Sequence, residues 1–211
     1  IGRFGQIVNR LALATGLQTV VIDHKIAQID AMRRYGVKGY FGDPTRPELM
    51  QAAGLMDAKI LVVAVDDQKA AIKLVEYARK QRPDLHIITR AYDRNHVYQL
   101  YRAGADDIIR ESFDSALRAG KDMLIAMGWT EFDANRAYDH FFEADRHALL
   151  ELASVWDPTI PNADNAEYVE RAKEVNRDLF TSFLSNLTQI VESEEKAPAA
   201  SSQTAQSDPP K

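Results

Sequence analysis

The sequence predicts a doubly wound α/β domain with a parallel sheet, followed by C-terminal helices. Three observations carry this. Between residues 17 and 110, short β-branched and apolar runs alternate with amphipathic stretches of helical spacing. Gly36, Gly54 and Gly104 each follow one of those helical stretches, where a residue with positive φ belongs. From about Ser112 the strand signal stops and only helical periodicity remains. Strands that alternate with helices are covered on both faces of a parallel sheet, the Rossmann-like arrangement.

The chain opens on Ile1-Gly2-Arg3-Phe4-Gly5, the second half of a GxGxxG turn, and continues as a helix over 5–15. Ile7, Val8 and Leu11 read as the inward face of that helix, and Arg10 as lying on its polar side. Residues 18–22 (QTVVI) form a strand that ends at Asp23, and 26–35 a helix with Ile26, Ile29 and Met32 facing inward. A short strand over 38–41 precedes a short helix over 46–53, with Pro47 in the first turn, where its missing N–H costs nothing. Residues 59–65 (KILVVAV) are a buried strand by composition, 68–81 a long helix and 85–89 another strand. A helix over 94–103 and a strand over 107–110 close the series. The first glycine of the turn and a strand before it are expected upstream, because a doubly wound sheet needs its central first strand. The chain therefore reads as a fragment.

Beyond this domain (1–111), helices are expected over 112–127, 134–156 and 164–192, the last with a stripe at Tyr168, Ala172, Val175, Leu179, Phe183, Leu187 and Ile190. Such stripes need something to pack on: the α/β domain, each other or a second subunit. Residues 112–192 form a helical extension, and 193–211 lack large apolar residues and read as a disordered tail.

Composition narrows the function. Hydrophobic residues at 45% and charged residues at 27% match a soluble globular protein, and no apolar run approaches the ~18–20 residues of a membrane span. With no cysteine there are no disulfides, thiolate metal sites or thiol nucleophiles. The five histidines form no HxH or HExxH pair, which argues against a zinc site. Residues 1–130 carry 19 Lys/Arg against 15 Asp/Glu, and residues 131–211 carry 7 against 16. An acidic chain is a poor nucleic-acid binder, whereas the mildly basic first part suits a small anionic ligand.

The glycine turn is the first candidate site. Gly2 lets a pyrophosphate approach the backbone, Gly5 lets the helix pack closely, and the helix N-terminus, with Arg3 and Phe4, faces the phosphate. Asp23 ends the next strand about 20 residues on, where a ribose-binding carboxylate belongs. The plain alternative is a ligand-free turn with Asp23 as a helix cap. Asp43, Asp66 and Asp67 follow the next two strands. Asp43 can accept from an adenine amino group and Asp66 can line a ribose, or each can simply cap a helix. Arg110 ends the last strand, in IIRESF, where a guanidinium can grip a carboxylate bidentately. Arg10 reads by spacing as a solvated charge. Asp145 falls within the apolar stripe of its helix (Tyr138, Phe141, Ala148, Leu149, Leu152, Val155) and needs a partner or a wet rim. No Ser/His/Asp set, P-loop lysine or separate substrate domain is present. A dinucleotide fold without such a set points to sensing rather than to an enzyme.

IGRFGQIVNRL, VVIDH, YFGDPTR, VVAVDD, IITRAYD and YRAGADDIIRESFDSALRAG together resemble the regulatory domain of Kef-type potassium efflux systems, of the class called RCK or KTN. The similarity runs from residue 1 to about 156. It implies an antiporter-like membrane domain upstream, a position at the cytoplasmic face of the bacterial inner membrane, and homodimerisation. It also implies potassium/proton exchange held closed by glutathione and opened by glutathione adducts of electrophiles, often with a flavodoxin-like quinone reductase as ancillary subunit. By this resemblance Arg10, Tyr35, Arg110 and Asp145 form the glutathione pocket, with Asp145 standing where the family carries asparagine. A nucleotide, AMP or NAD(H), would occupy Gly2 to Gly5 with Asp23 and Asp43. Two rivals share the fold: a nucleotide-sensing domain of another potassium transporter or channel, and an NAD-dependent oxidoreductase.

Overall fold

In the computed structural model, which describes residues 1–196, helices and strands alternate from the start of the chain. The order is α1 (Arg3–Ala14), β1 (Val20–Asp23), α2 (Ile26–Arg34), β2 (Lys38–Phe41), α3 (Pro47–Ala52), β3 (Ile60–Val63), α4 (Gln68–Gln81), β4 (His86–Ala91), α5 (Arg94–Ala103) and β5 (Asp107–Arg110). Three helices follow: α6 (Phe113–Ala126), α7 (Glu131–Ser154) and α8 (Ala166–Lys196). The chain divides into two units, Ile1–Ala116 and the residues from Leu117 onward. No helix among the described residues is long and apolar enough to cross a membrane.

All strand pairs of the first unit are parallel, as the alternating pattern predicts. They form two ribbons, however, and not one sheet. β1 pairs with β2, from Val20 opposite Lys38 to Asp23 opposite Phe41, and β3, β4 and β5 pair in that order. The break falls between β1 and β3, because no described strand lies hydrogen-bonded to both.

Each ribbon has its own apolar packing. Val21 of β1 meets Ile29 and Met32 of α2 and Val37, with Ile1 and Leu13 against them. Around β4, Val75 of α4, Leu85, Ile87 and Leu100 of α5 are almost wholly buried. Full burial of a side chain of this size stabilises by about 1.5–3 kcal/mol, an upper figure because the unfolded chain is itself partly collapsed. The helices end as expected at Gly36, Gly54 and Gly104, with φ of +77°, +98° and +100°. Asp67 caps α4 by accepting from the Ala70 N–H at 2.7 Å, and Asp93 caps α5 by accepting from the His96 N–H at 2.8 Å.

Helix α1 corrects one expectation. Its buried residues are Gly5 and Asn9, while Ile7 and Leu11 are each 69% exposed. Arg10 therefore shares an open, partly apolar surface with them instead of opposing an apolar face. The one polar residue turned inward, Asn9, donates from its side-chain amide to the Met32 sulfur at 3.6 Å.

In the second unit α7 and α8 form an antiparallel hairpin. His140 meets Ser182 at 3.0 Å and lies edge-on to Phe183, while Arg171 reaches back to Glu151 at 3.5 Å. α7 begins three residues earlier than periodicity predicts, because Thr130 and Asp133 form a reciprocal cap: the Asp133 N–H donates to the Thr130 hydroxyl, which donates to the Asp133 carboxylate. α8 continues to Lys196, past the expected limit of 192, through Glu and Lys residues of good intrinsic helix propensity. The side chains of Leu187 and Ile190, and the tail over 197–211, lie outside the described residues.

Candidate functional site

The start of α1 is an open helix terminus. Gly2 is its N-cap residue, extended at φ −71° and ψ −169°, and no side chain caps the first turn. The N–H groups there carry the positive end of the helix dipole. A Cβ on Gly2 would meet no protein atom within 4 Å, so packing alone does not demand glycine at that position. Gly5 differs. A Cβ there would lie 3.1 Å from the Ile1 side chain and 3.4 Å from that of Ala64, which follows β3. The glycine lets the first turn of α1 sit directly on the carboxyl end of β3.

Asp23, the last residue of β1, is brought to this turn. Its side chain is 6% exposed; one carboxylate oxygen contacts the Ile1 amine, and the other accepts from the Lys25 N–H at 2.7 Å. Asp43, after β2, is exposed and does not cap α3, whose N-cap residue is Arg46. Its carboxylate accepts from the Thr45 N–H at 2.9 Å and the Thr45 hydroxyl at 2.8 Å, and these bonds, the backbone one first, hold its pKa below the usual carboxylate range. Of the two aspartates after β3, Asp67 is the helix cap and Asp66 is not. Asp66 is held by Arg90.

Arg90 is the residue that sequence reading missed. It is 8% exposed near the carboxyl end of β4, donating to the Val65 carbonyl at 2.9 Å, to Asp66 at 2.5 Å and to Glu111 at 3.2 Å. Its guanidinium carbon lies 6.0 Å from the centre of the Phe4 ring. The hydrogen bond from Arg90, and then its charge, keep the exposed Asp66 carboxyl below its ordinary pKa. One buried cation thus ties the ends of β3 and β5 to the turn of α1. The available signal was an arginine inside a strand run, IITRAYD, where an apolar side chain is the default. Beside it opens a cleft of about 730 Å³, lined by Arg3, Phe4 and Ile7 of α1, by Tyr92 after β4, and by Glu111, Ser112 and Ser115 after β5. Arg3 and Phe4 were expected at a ligand, and the other five are additions from the structure.

The second group of candidates lies on separate elements. Arg10 is exposed on α1, Tyr35 at the end of α2 is 75% exposed, and Arg110, at the end of β5, stacks its guanidinium 3.7 Å from the centre of the Phe113 ring. Asp145 belongs to α7 of the second unit. It is 5% exposed, so it is buried within its stripe and not at a wet rim.

Residues 1–111 match the TrkA-N domain family, and residues 115–203 match the potassium efflux system KefB C-terminal domain family. Among solved structures, the Kef CTD of Shewanella denitrificans in AMP-bound form is 42% identical, with a TM-score of 0.68 over 74% of this chain and 95% of that one. The TrkA-N domain of the inner membrane protein ybaL from Escherichia coli is 30% identical, with a TM-score of 0.55 over 58% of this chain and 90% of that one.

Proposed function

The chain belongs to the TrkA-N domain family and continues as a potassium efflux system KefB C-terminal domain, and from that premise we propose that it is a ligand-sensing regulatory domain that gates potassium efflux. In this reading it binds a nucleotide at the glycine turn, answers to glutathione and its adducts, and catalyses nothing itself.

The observation that carries the nucleotide is the uncapped N-terminus of α1 with the buried Asp23 carboxylate beside it. A phosphate fits the first, because the helix dipole and free N–H groups favour an anion. A ribose hydroxyl fits the second as a donor to a fixed carboxylate. Asp43 and Asp66, each kept ionised by its neighbours, offer further acceptors for ribose hydroxyls or an adenine amino group. The AMP in the Shewanella denitrificans relative supports a mononucleotide as the first ligand to try.

Glutathione carries two carboxylates and an ammonium group. Arg10 and Arg110 suit the carboxylates, and the exposed Tyr35 is free to shift when the sulfur gains a bulky substituent, a differential contact of the kind a switch requires. Asp145 is assigned to the ammonium group, and its burial means that this contact requires it to become uncovered. A homodimer fits the exposed Ile7 and Leu11 of α1 and the absence of any buried residue on α6, where Met123 and Ile125 are exposed. The reading also implies an antiporter-like membrane domain in the same protein, a place at the cytoplasmic face of the bacterial inner membrane, and a flavodoxin-like quinone reductase as a further partner.

Calorimetric titration of the chain with AMP, with glutathione and with a bulky S-substituted glutathione tests the proposal. The expected outcome is AMP binding, together with competitive binding of glutathione and its S-substituted form that Arg110→Ala abolishes. AMP binding without any glutathione binding would leave a nucleotide sensor and remove the glutathione pocket.

A further inference from the structure

His96 enters neither ligand set, yet it is bonded to Tyr92, a residue that lines the cleft. β4 ends at Ala91, Tyr92 lines the cleft, Asp93 caps α5, and His96 sits in the first turn of that helix. Its side chain is 2% exposed. Two hydrogen bonds join it to the loop: its backbone N–H donates to Asp93 Oδ1 at 2.8 Å, and its ring Nδ1 accepts from the Tyr92 N–H at 3.1 Å. An N–H can donate only to a ring nitrogen that keeps its lone pair, so the imidazole is neutral and carries its proton on Nε2. A second proton would remove the acceptor of the Tyr92 N–H and place a charge where water is nearly excluded.

We propose that His96 is a positioning residue that holds the Tyr92 loop against the ligand cleft, and that its protonation releases the loop, so that nucleotide affinity falls as pH falls. This rests on reading the cleft as part of the nucleotide site, since Arg3 and Phe4 belong to both. The charged groups facing the ring are Asp93, on its own loop, and Arg90, near the end of β4, while α4 presents the uncharged Gln68 backbone. Burial pushes the His96 pKa down most; the Gln68 backbone and Asp93 oppose it, Arg90 adds to it, and the net direction is downward. The sign follows. Above the unfolded histidine value of about 6.5 both states are neutral and the latch is closed. As pH falls below that value, the released form takes up a proton that the latched form resists, and the latch weakens until the native pKa is passed.

The test measures AMP affinity of the chain by calorimetry between pH 8 and pH 5.5, with amide exchange at Tyr92 followed alongside. His96→Asn keeps an acceptor near the position of Nδ1 but cannot titrate, and His96→Leu removes the acceptor. The wild-type chain is expected to lose affinity about 3–10-fold more than His96→Asn across this range, the scale of one hydrogen bond. Ionisation of the AMP phosphate, with a second pKa of about 6, affects both chains alike. His96→Leu is expected to bind weakly and to exchange Tyr92 quickly at both ends. If His96→Asn keeps the full wild-type step, or Tyr92 protection in the wild-type chain ignores pH, the proposal is overturned. If AMP binds at no pH, the nucleotide reading of the cleft falls along with the affinity half of the proposal, and the latch then stands or falls on whether Tyr92 protection drops with pH in the wild-type chain and not in His96→Asn.

Discussion

Gly54 and Gly104 end α3 and α5 with nearly the same backbone, φ of +98° and +100°, but in different surroundings, which makes them a matched pair. A Cβ on Gly54 would meet nothing within 4 Å. Gly54→Ala should therefore cost only the left-handed strain of an L-residue, about 1–2 kcal/mol. A Cβ on Gly104 would lie 2.9 Å from Arg79 Cγ and 3.2 Å from its Nε. Those atoms are the stem of a side chain that donates to the Gly104 carbonyl at 2.9 Å, to Pro83 O at 2.7 Å and to Asp106 at 2.6 Å. The stem must move, and one or two of these bonds stretch or break. Each is worth about 1 kcal/mol, with the partly exposed Asp106 pair at the low end. Gly104→Ala should then cost about 2–4 kcal/mol, roughly 1–2 kcal/mol more than Gly54→Ala. With a urea m-value of about 1–3 kcal/mol/M, the excess lowers the midpoint by about 1 M. Far-UV circular dichroism is the appropriate probe, because Trp129 and Trp156 both lie in the second unit. In an Arg79→Ala background the excess should vanish. Equal losses for the two glycine variants, or an excess that survives without Arg79, would refute the reasoning.

Two further outcomes follow from the ligand and partner assignments. Asp23→Asn should weaken AMP binding about 10–100-fold, the equivalent of one charge-assisted hydrogen bond, with the fold checked by circular dichroism; a change under about twofold removes Asp23 from the site. Leu11→Glu, on the exposed face of α1, should turn a dimer into a monomer in sedimentation experiments while changing monomer stability by no more than about 0.5 kcal/mol, and an unaltered dimer would place the interface elsewhere.

Much of the fold was legible because it rests on local chemistry. Pro47, Gly36, Gly54 and Gly104 mark helix ends through backbone conformation alone, and the β-branched runs mark strands. The face assignment of α1 was not legible in the same way. Hydrophobic spacing reports that Ile7 and Leu11 prefer burial, but not whether their cover comes from the same unit, and here the inward positions are Gly5 and Asn9. Arg90 was hidden for the opposite reason. Its surroundings come from the Val65 carbonyl, Asp66, Glu111 and Phe4, which lie 21 to 86 residues away in the sequence, and no spacing rule joins them. The start of α7 was missed through a cap: periodicity begins at the first inward apolar residue, whereas the helix begins where Thr130 and Asp133 satisfy its terminus.

Helix α1 draws these strands of argument together. Its N-terminus is open to an anion, its inner side has only Gly5 and Asn9 fully buried, and its outer side exposes Ile7, Arg10 and Leu11. In the proposed reading, one rigid element carries a nucleotide at its end, a glutathione-binding arginine on its flank and a dimer contact beside it. A 12-residue helix is about 18 Å long, so these duties lie within one to three turns of each other. In that reading a ligand that shifts the first turn, which sits on Ala64 and faces Phe4 toward Arg90, would shift the proposed dimer face by the same rigid motion. Coupling between nucleotide, glutathione ligand and subunit contact then needs no long relay across the fold. It needs only that the two ligands favour different settings of α1, and that difference in affinity sets the size of the switch.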